Sequence, residues 1–272
     1  MVRGPKKPVE KGELPLERQR HAKHAIEEFV SWHMCGVATR SLGKLPEVGS
    51  ATAIRWKRKT LLLTANHVVK DVPNYELEFA FRPTGTLERP DWWQSTDARP
   101  QTYLRARHLE IVQRHTSTKD DLCALEVQPE LENQNVVRFF ELSAESKIVW
   151  PTGSNICAIG LPFDSLEQMA PGTVAFQVTV HWGELEPVRR KLLSGFNRRK
   201  HLLLQFPPAN TGRHPGGFSG AGAWYHASSA KPPEVWSFRP VLAGVITHFY
   251  LRPKLLRITR VESLVAFLQT IA

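Results

Sequence analysis

Apolar residues recur along this chain with two different periods. Between residues 22 and 30 they lie three and four positions apart, with charged residues on the opposite side. That spacing predicts an amphipathic helix, and the Pro- and Lys-rich stretch before it predicts a mobile tail. The segment 261–271 has the same helical spacing, so we predict a second helix there.

Between these helices the pattern is that of strands. From Val37 onward, short apolar or alternating runs are separated by polar turns, and many short strands with helices only at the ends indicate an all-β barrel architecture. A turn-rich connection over 128–150 ends in Trp150-Pro151, which we take as the boundary between two halves. The strand-like segments are 48–54, 61–64, 75–81, 102–113, 121–127, 154–162, 172–181, 200–205 and 241–250.

Composition and charge narrow the class of protein. The 272 residues are 42% hydrophobic, as in globular proteins, and the net charge of +10 suits nucleic acid, anionic lipid or acidic substrates without choosing among them. The three cysteines, Cys35, Cys123 and Cys157, are too scattered for a disulfide framework or a metal site, so we expect no metal and no cofactor. The sequence contains neither a signal-peptide pattern nor an apolar run long enough to span a membrane. We therefore expect a cytoplasmic protein with no membrane partner.

One glycine-rich stretch contains a candidate nucleophilic serine. Residues 214–222 read HPGGFSGAG, and glycines allow a turn that aims the N–H groups of Gly217 and Ser219 at one point beside the Ser219 hydroxyl. Such a pair of donors is an oxyanion hole next to a nucleophile. The alternative is a surface turn with an incidental serine.

The order of the candidate groups separates the known catalytic arrangements. A nucleophilic serine needs a base within hydrogen-bond reach and a third group that orients the base. The order Ser, acid, His would require partners after Ser219, where only Glu234 and Glu262 are acidic and the helix–strand alternation of that fold is missing. The order His67, Asp121, Ser219 fits the sequence.

Four stretches in this order resemble a known family. Residues 63–69 read LTANHVV around His67, 121–127 read DLCALEV, 156–162 read ICAIGLP, and 217–220 read GFSG ahead of the strand 242–249. Together they are similar to the motifs of chymotrypsin/trypsin-like serine peptidases, nearest to bacterial HtrA-like protease domains. The resemblance covers most of the chain after Gly49.

The resemblance implies a fold and a division of the chain. It implies two antiparallel six-stranded β-barrels, with an N-terminal helical extension and a C-terminal helix. We expect a mobile N-terminal tail and helix over 1–36, a first barrel over 37–150, and a second barrel with the C-terminal helix over 151–272.

The same resemblance implies the roles of the residues. His67 would be the general base and then the general acid, Asp121 would orient it in preference to Asp120, and Ser219 would attack the scissile carbonyl of a polypeptide. The N–H groups of Gly217 and Ser219 would hold the oxyanion. Because Phe218 replaces the aspartate that pairs with a new N-terminus in secreted members, we expect no activation cleavage of that kind. Packing or a protein partner would hold the oxyanion hole open instead.

Specificity and the competing functions rest on weaker signals. Arg213 and His214 precede the nucleophile motif and would favour an acidic substrate residue, unless Arg213 points to solvent. Thr247, His248 and Phe249 would pair with extended substrate by strand addition. The paired tryptophans of the loop 82–101 either grip substrate or cover the barrel.

Two other classes of function remain open from the sequence. One is a catalytically silent module of the same fold that binds a protein partner. The other is nucleic-acid binding through the basic clusters at 189–191, 198–200 and 252–260. Such clusters are usually solvated faces, with Phe196 the one aromatic near the first two that could stack a base, and they would equally suit an acidic protein that regulates the activity.

Overall fold

The computed structural model describes residues 16–39, 48–81, 105–133, 137–144, 155–161, 166–170, 173–176, 178–186, 193–206, 215–225 and 240–271. Within these ranges, strands outnumber helices and form three sheets. In chain order, the elements are α1 (Leu16–Trp32), β1 (Met34–Thr39), β2 (Val48–Trp56), β3 (Lys59–Ala65), α2 (Asn66–Val69), a 3-10 turn (Asn74–Glu76), β4 (Leu77–Phe81), β5 (Arg105–His108), β6 (Ile111–Ser117), β7 (Leu122–Val127), α3 (Glu130–Asn133), β8 (Phe140–Leu142), β9 (Asn155–Gly160), β10 (Leu166–Ala170), β11 (Thr173–Phe176), β12 (Thr179–Glu184), β13 (His201–Gln205), β14 (Gly222–Tyr225), β15 (Val241–Tyr250), β16 (Leu255–Arg260) and α4 (Val261–Gln269).

The first sheet is a curled antiparallel sheet in the order β5-β4-β1-β2-β3-β7-β6. β5 and β6 lie at opposite edges of this order, yet only two residues, Leu109 and Glu110, separate them in the chain. The sheet must therefore curl until its two edges meet. The segment 102–113, predicted as one strand, is divided between these two edges, because the chain changes its pairing partner at Leu109.

The second sheet also closes. Its order is β12-β9-β14-β15-β16-β13, and all of its pairs are antiparallel. A bridge between Leu185 and Leu204 joins the two edge strands, and the N–H of Glu186 donates to the carbonyl of Leu203 at 2.9 Å. The prediction of an all-β fold with two antiparallel barrels is confirmed. The first sheet has eight strands rather than the expected six: seven follow one another in the antiparallel order, and β8 adds to β2 in a parallel orientation.

The two helices predicted at the ends of the sequence are present, and both pack on the barrels. Ile26 and Val30 of α1, and Leu264 and Leu268 of α4, are buried in one apolar cluster that also contains residues of both sheets. Their three- and four-residue spacing is what places them on one helix face. Burying that face against the barrels therefore ties the two sheets together.

The cysteines are buried and chemically quiet. Cys35, Cys123 and Cys157 are free thiols in the interior, and burial raises the pKa of the Cys123 thiol to about 12, against a smaller lowering by the Arg114 guanidinium. In the described ranges, no helix is both long enough and apolar enough to cross a membrane. Arg213, His214, the tryptophans at 92 and 93, the first fourteen residues and the basic cluster 189–191 lie outside the described residues.

Candidate active site

The pairing of β3 with β7 brings His67 next to Asp121. In their register Thr64 lies opposite Cys123 and Ala65 opposite Leu122, so the end of one strand meets the start of the other. The N–H of Asn66 then donates to the carbonyl of Asp121 at 3.0 Å. Asp121 sits at φ +53°, in the left-handed region that Asp tolerates better than most residues, and this turns its side chain toward the first turn of α2.

Two hydrogen bonds join the carboxylate of Asp121 to His67. The backbone N–H of His67 donates to Oδ1 at 3.0 Å, and the imidazole Nδ1 lies 2.8 Å from Oδ2. An imidazole held this way by an ionised carboxylate keeps its proton on Nδ1 and leaves the Nε2 lone pair free to accept. Neighbouring Asp120 does not share this role, because its carboxylate is bonded to Lys200 and to the Ser117 hydroxyl.

Ser219 comes from the second barrel and completes the contact. Its Oγ lies 3.0 Å from Nε2 of His67, so the three side chains form one continuous line from Asp121 to Ser219. The His67 side chain is 43% exposed and that of Asp121 is 23% exposed. The line is therefore open to solvent at the imidazole and more sheltered at the acid.

Two glycines shape the turn that carries Ser219. Gly217 and Gly220 both have φ of +94°, which an L side chain rarely adopts. A Cβ at Gly220 would lie 1.7 Å from the carbonyl oxygen of Ser50 and 2.5 Å from Oγ1 of Thr64. The chain can thus make this turn against β2 only with glycine at position 220.

Ser50 of β2 anchors the same turn from the first barrel. Its N–H donates to the carbonyl of Ser219 at 2.8 Å, and its hydroxyl donates to the carbonyl of Gly217 at 2.7 Å. The hydroxyl also accepts the N–H of Leu161 at 3.1 Å. In the described part of the chain the N–H groups of Gly217 and Ser219 donate to no protein acceptor, which is the state needed to receive an oxyanion.

One edge of β15 lies beside this turn. β14 pairs with β15 only over Val241–Val245, so beyond Ile246 the described strands pair with one edge of β15 alone, through β16. Thr247 is buried, His248 is exposed and Phe249 is half-buried. Burial lowers the pKa of His248, and the charges of Arg257 and His67 lower it further, while Asp121 opposes them. His248 therefore lies within electrostatic reach of His67 and Asp121.

Phe218 fills the interior behind the turn. The side chain is fully buried, its ring lies 5.9 Å from that of Phe206 in an edge-to-face arrangement, and a Cβ on Gly160 would meet it at 2.8 Å. An apolar side chain thus occupies the place beside the serine where the resemblance would put an aspartate.

Two residues of this site are not identified by sequence reasoning. Ser50 enters the sequence pattern only as part of a strand, and Arg257 only as part of a basic cluster. Arg257 is largely buried, and its Nη2 lies 3.7 Å from Oδ2 of Asp121. For Ser50 the available signal is a small polar residue inside a mostly apolar strand. For Arg257 the sequence offers none, because its environment depends on a residue of the other barrel.

Comparison with known proteins bears on the fold. The structure is similar to that of a scabies mite inactivated protease paralogue, S-I1, with a TM-score of 0.57 and 17% identity over 89% of this chain and 94% of that one. It is also similar to a serine endoprotease from Yersinia pestis, with a TM-score of 0.53 and 14% identity over 95% of this chain and 67% of that one. The chain has a chymotrypsin-like fold.

No protein-family model matches the sequence, and no curated protein matches it significantly. Among the described residues, no group of three or more His, Cys, Asp and Glu side chains is arranged to hold a metal ion.

Proposed function

We propose that the protein is a serine endopeptidase that cleaves polypeptide bonds through an acyl-enzyme. The observation that carries this proposal is the alignment of Asp121, His67 and Ser219, with contacts of 2.8 Å and 3.0 Å. A hydroxyl, a base and an orienting acid in this order are the requirements of nucleophilic acyl transfer. The exposure of the imidazole allows a substrate to reach it.

The first half of the reaction makes the acyl-enzyme. Nε2 of His67 takes the proton of the Ser219 hydroxyl as its Oγ attacks the scissile carbonyl carbon. The carbonyl oxygen becomes an oxyanion, which the N–H groups of Gly217 and Ser219 stabilise. The carboxylate of Asp121 stabilises the imidazolium that forms. His67 then gives its proton to the departing amine, and the carbon–nitrogen bond breaks.

The second half releases the product. Water gives a proton to Nε2 of His67 and attacks the ester carbonyl, and the ester bond to Ser219 breaks as His67 returns that proton to Oγ. During both halves we propose that the substrate lies extended along the edge of β15 at Thr247, His248 and Phe249. Backbone hydrogen bonds of that kind hold a peptide by strand addition, independent of its side chains.

The proposal is tested by covalent labelling with a fluorophosphonate probe, which reacts with activated serines. The wild-type protein is expected to be labelled at Ser219, and Ser219→Ala and His67→Ala are each expected to remove the labelling, since loss of either residue in such a triad costs about six orders of magnitude in turnover. Asp121→Asn and Asp120→Asn form a matched pair of neighbouring carboxylates. Only the Asp121 change is expected to slow labelling, by about four orders of magnitude.

A catalytically silent module is the alternative that the same experiment would reveal. One structural neighbour is an inactivated protease paralogue, so the fold alone does not imply activity. A folded wild-type protein that the probe does not label would support the silent module and contradict the proposal.

Nucleic-acid binding is less favoured by the described residues. Lys200 is paired with Asp120, Arg257 contacts Asp121, and Nε of Arg260 donates to the carbonyl of His201. Phe196, the candidate for base stacking, packs against an apolar cluster instead. We propose that the exposed Arg198 and Arg199 serve an acidic protein partner in the cytoplasm, one that regulates the protease at the turn containing Phe218.

The natural substrate can be found by comparing the protein N-termini of two cell populations. Sequencing of new N-termini in cells with the wild-type protein, compared with cells that carry Ser219→Ala, is expected to show cleavage sites that depend on the serine. A preference for acidic residues before the cleaved bond would support the role of Arg213 and His214. Sites without that preference would remove it while leaving the protease proposal intact.

A further inference from the structure

Arg257 is a cation of the second barrel that reaches the acid of the first. It lies on β16, and its side chain is 11% exposed. Three groups surround its guanidinium: Nε donates to Oγ1 of Thr247 at 3.2 Å, Nη1 donates to the carbonyl of Gly195 at 3.1 Å, and Nη2 lies 3.7 Å from Oδ2 of Asp121. A planar guanidinium held on three sides has little freedom to move.

The contact falls on a specific oxygen. Oδ2 of Asp121 is the atom that lies 2.8 Å from Nδ1 of His67, so the arginine and the imidazole share one carboxylate oxygen. The guanidinium attracts that carboxylate and fixes the position of the oxygen that holds the imidazole.

One of the groups that hold Arg257, the Thr247 hydroxyl, is itself fixed in the interior. Oγ1 of Thr247, which receives Nε, lies 3.0 Å from Oγ1 of Thr259, and both side chains are fully buried. Among the described residues, the charged and titratable groups near the Asp121–His67 pair are Arg257 from β16 and His248 from β15, together with Asp120, the neighbour of Asp121 in sequence, which is paired with Lys200. Of these, Arg257 is the group whose side chain contacts the Asp121 carboxylate.

We propose that Arg257 is a positioning residue that holds the Asp121 carboxylate in line with His67. This deepens the proposed protease function, and the part that concerns catalysis rests on it. The part that concerns geometry does not, because the Asp121–His67 hydrogen bond exists whether or not the serine reacts.

Three variants separate charge, shape and simple packing. Arg257→Met removes the charge but keeps an apolar stem, Arg257→Lys keeps the charge but loses the three-sided fork, and Arg260→Met is a control that removes a positive charge from the same strand. Labelling of Ser219 by the fluorophosphonate probe is measured for each variant. Without the guanidinium the Asp121 oxygen is no longer fixed against the imidazole, so the maximal rate of labelling is expected to fall about tenfold in Arg257→Met.

Arg257→Lys is expected to label several times more slowly than the wild type, since a single ammonium cannot replace the fork. Arg260→Met is expected to label at the wild-type rate. An Arg257→Met protein that labels as fast as the Arg260→Met control would overturn the proposal.

A second measurement does not depend on activity. A histidine N–H that is hydrogen-bonded to a carboxylate gives a proton NMR signal far downfield, and we expect it for His67 in the Ser219→Ala protein. In that background Arg257→Met is expected to weaken or lose the signal, and Arg257→Lys to broaden it. If the signal is present and responds in this way while the wild type is not labelled, the protease function is wrong but the positioning role stands.

The opposite result is equally informative. A signal that neither variant changes would overturn the positioning role, even in an active protease. If Arg257→Met does not fold, Arg257→Lys tests the proposal. Labelling of Ser219 must then be slower than in the wild type and the His67 proton signal must be broader; otherwise the positioning role is wrong.

Discussion

Removing the Ser50 hydroxyl measures how strongly the first barrel stabilises the turn of the second barrel that carries Ser219. The hydroxyl is fully buried and connects the carbonyl of Gly217 to the N–H of Leu161 through contacts of 2.7 Å and 3.1 Å. Ser50→Ala removes both hydrogen bonds and adds no new atom. Two backbone groups are then left in the interior without the partner they had.

The expected loss follows from those two groups. A buried polar group deprived of its partner costs about 1–3 kcal/mol, so the two together are expected to lower the free energy of unfolding by about 3 kcal/mol after some relaxation. In a domain of this size, that corresponds to a fall in Tm of about 6–12 °C. Because the Gly217 carbonyl is then free to turn, the adjacent peptide groups of the Ser219 turn are expected to shift, and under the proposed mechanism labelling of Ser219 is expected to slow by about tenfold.

Thermal unfolding and probe labelling of the same samples test this. Ser31→Ala is the matched control, since it removes a hydroxyl that bonds a backbone carbonyl at 2.7 Å on the more accessible surface of α1, where we expect a change within about 0.5 kcal/mol. If Ser50→Ala and Ser31→Ala have the same Tm, the reasoning about buried partners is wrong. A lower Tm with an unchanged labelling rate would show that Ser50 stabilises the fold without holding the oxyanion hole.

Three further outcomes are expected. Gly220→Ala, which would place a Cβ 1.7 Å from the Ser50 carbonyl oxygen at φ +94°, is expected to abolish labelling and lower the Tm, whereas an active and stable variant would contradict the described turn. Burial and then the Arg257 charge lower the pKa of His201 to about 4, so stability is expected to fall by up to about 3 kcal/mol as pH drops from about 6.5 to about 4, because the unfolded state takes up the proton first. Denaturant titrations at several pH values measure this loss. If the His201→Asn protein loses as much stability between about pH 6.5 and about pH 4 as the wild type does, the assignment to His201 is wrong. Burial raises the pKa of Asp120, but hydrogen bonds from Lys200 and Ser117 outweigh it and hold the pKa below its usual range. The stability advantage of wild type over Asp120→Asn is therefore expected above about pH 4 and to shrink as pH falls through the lowered pKa; an advantage that does not change with pH would argue against the ion pair.

Local sequence is enough to single out the three aligned side chains, because each lies at the end of a strand-like run or within a glycine-rich turn. His67 follows an apolar strand, Asp121 precedes one, and Ser219 stands among glycines. The all-β architecture follows in the same way from strand periodicity. The two terminal helices can be predicted because their apolar residues recur every three or four positions over consecutive turns.

The rest depends on partners far along the chain. Residues 102–113 contain no Gly, Pro, Asn or Asp that would mark a turn, so the sequence pattern does not show that the chain leaves one edge of a sheet for the other at Leu109. β8 is three residues long and adds to β2 in a parallel orientation. A strand this short gives no periodic pattern, and its pairing partner cannot be predicted from its own residues. Arg257 lies in a run of basic residues and is nevertheless buried, because a carboxylate from the other barrel faces it.

The division of the site between the barrels sets an order of events during synthesis. The first barrel supplies His67, Asp121 and the Ser50 anchor, whereas Ser219 and its glycine turn belong to the second. A ribosome therefore translates His67 and Asp121 before Ser219. A nascent chain whose second barrel has not yet docked lacks the complete line of three side chains, so the proposed peptidase activity requires both halves to have folded and docked.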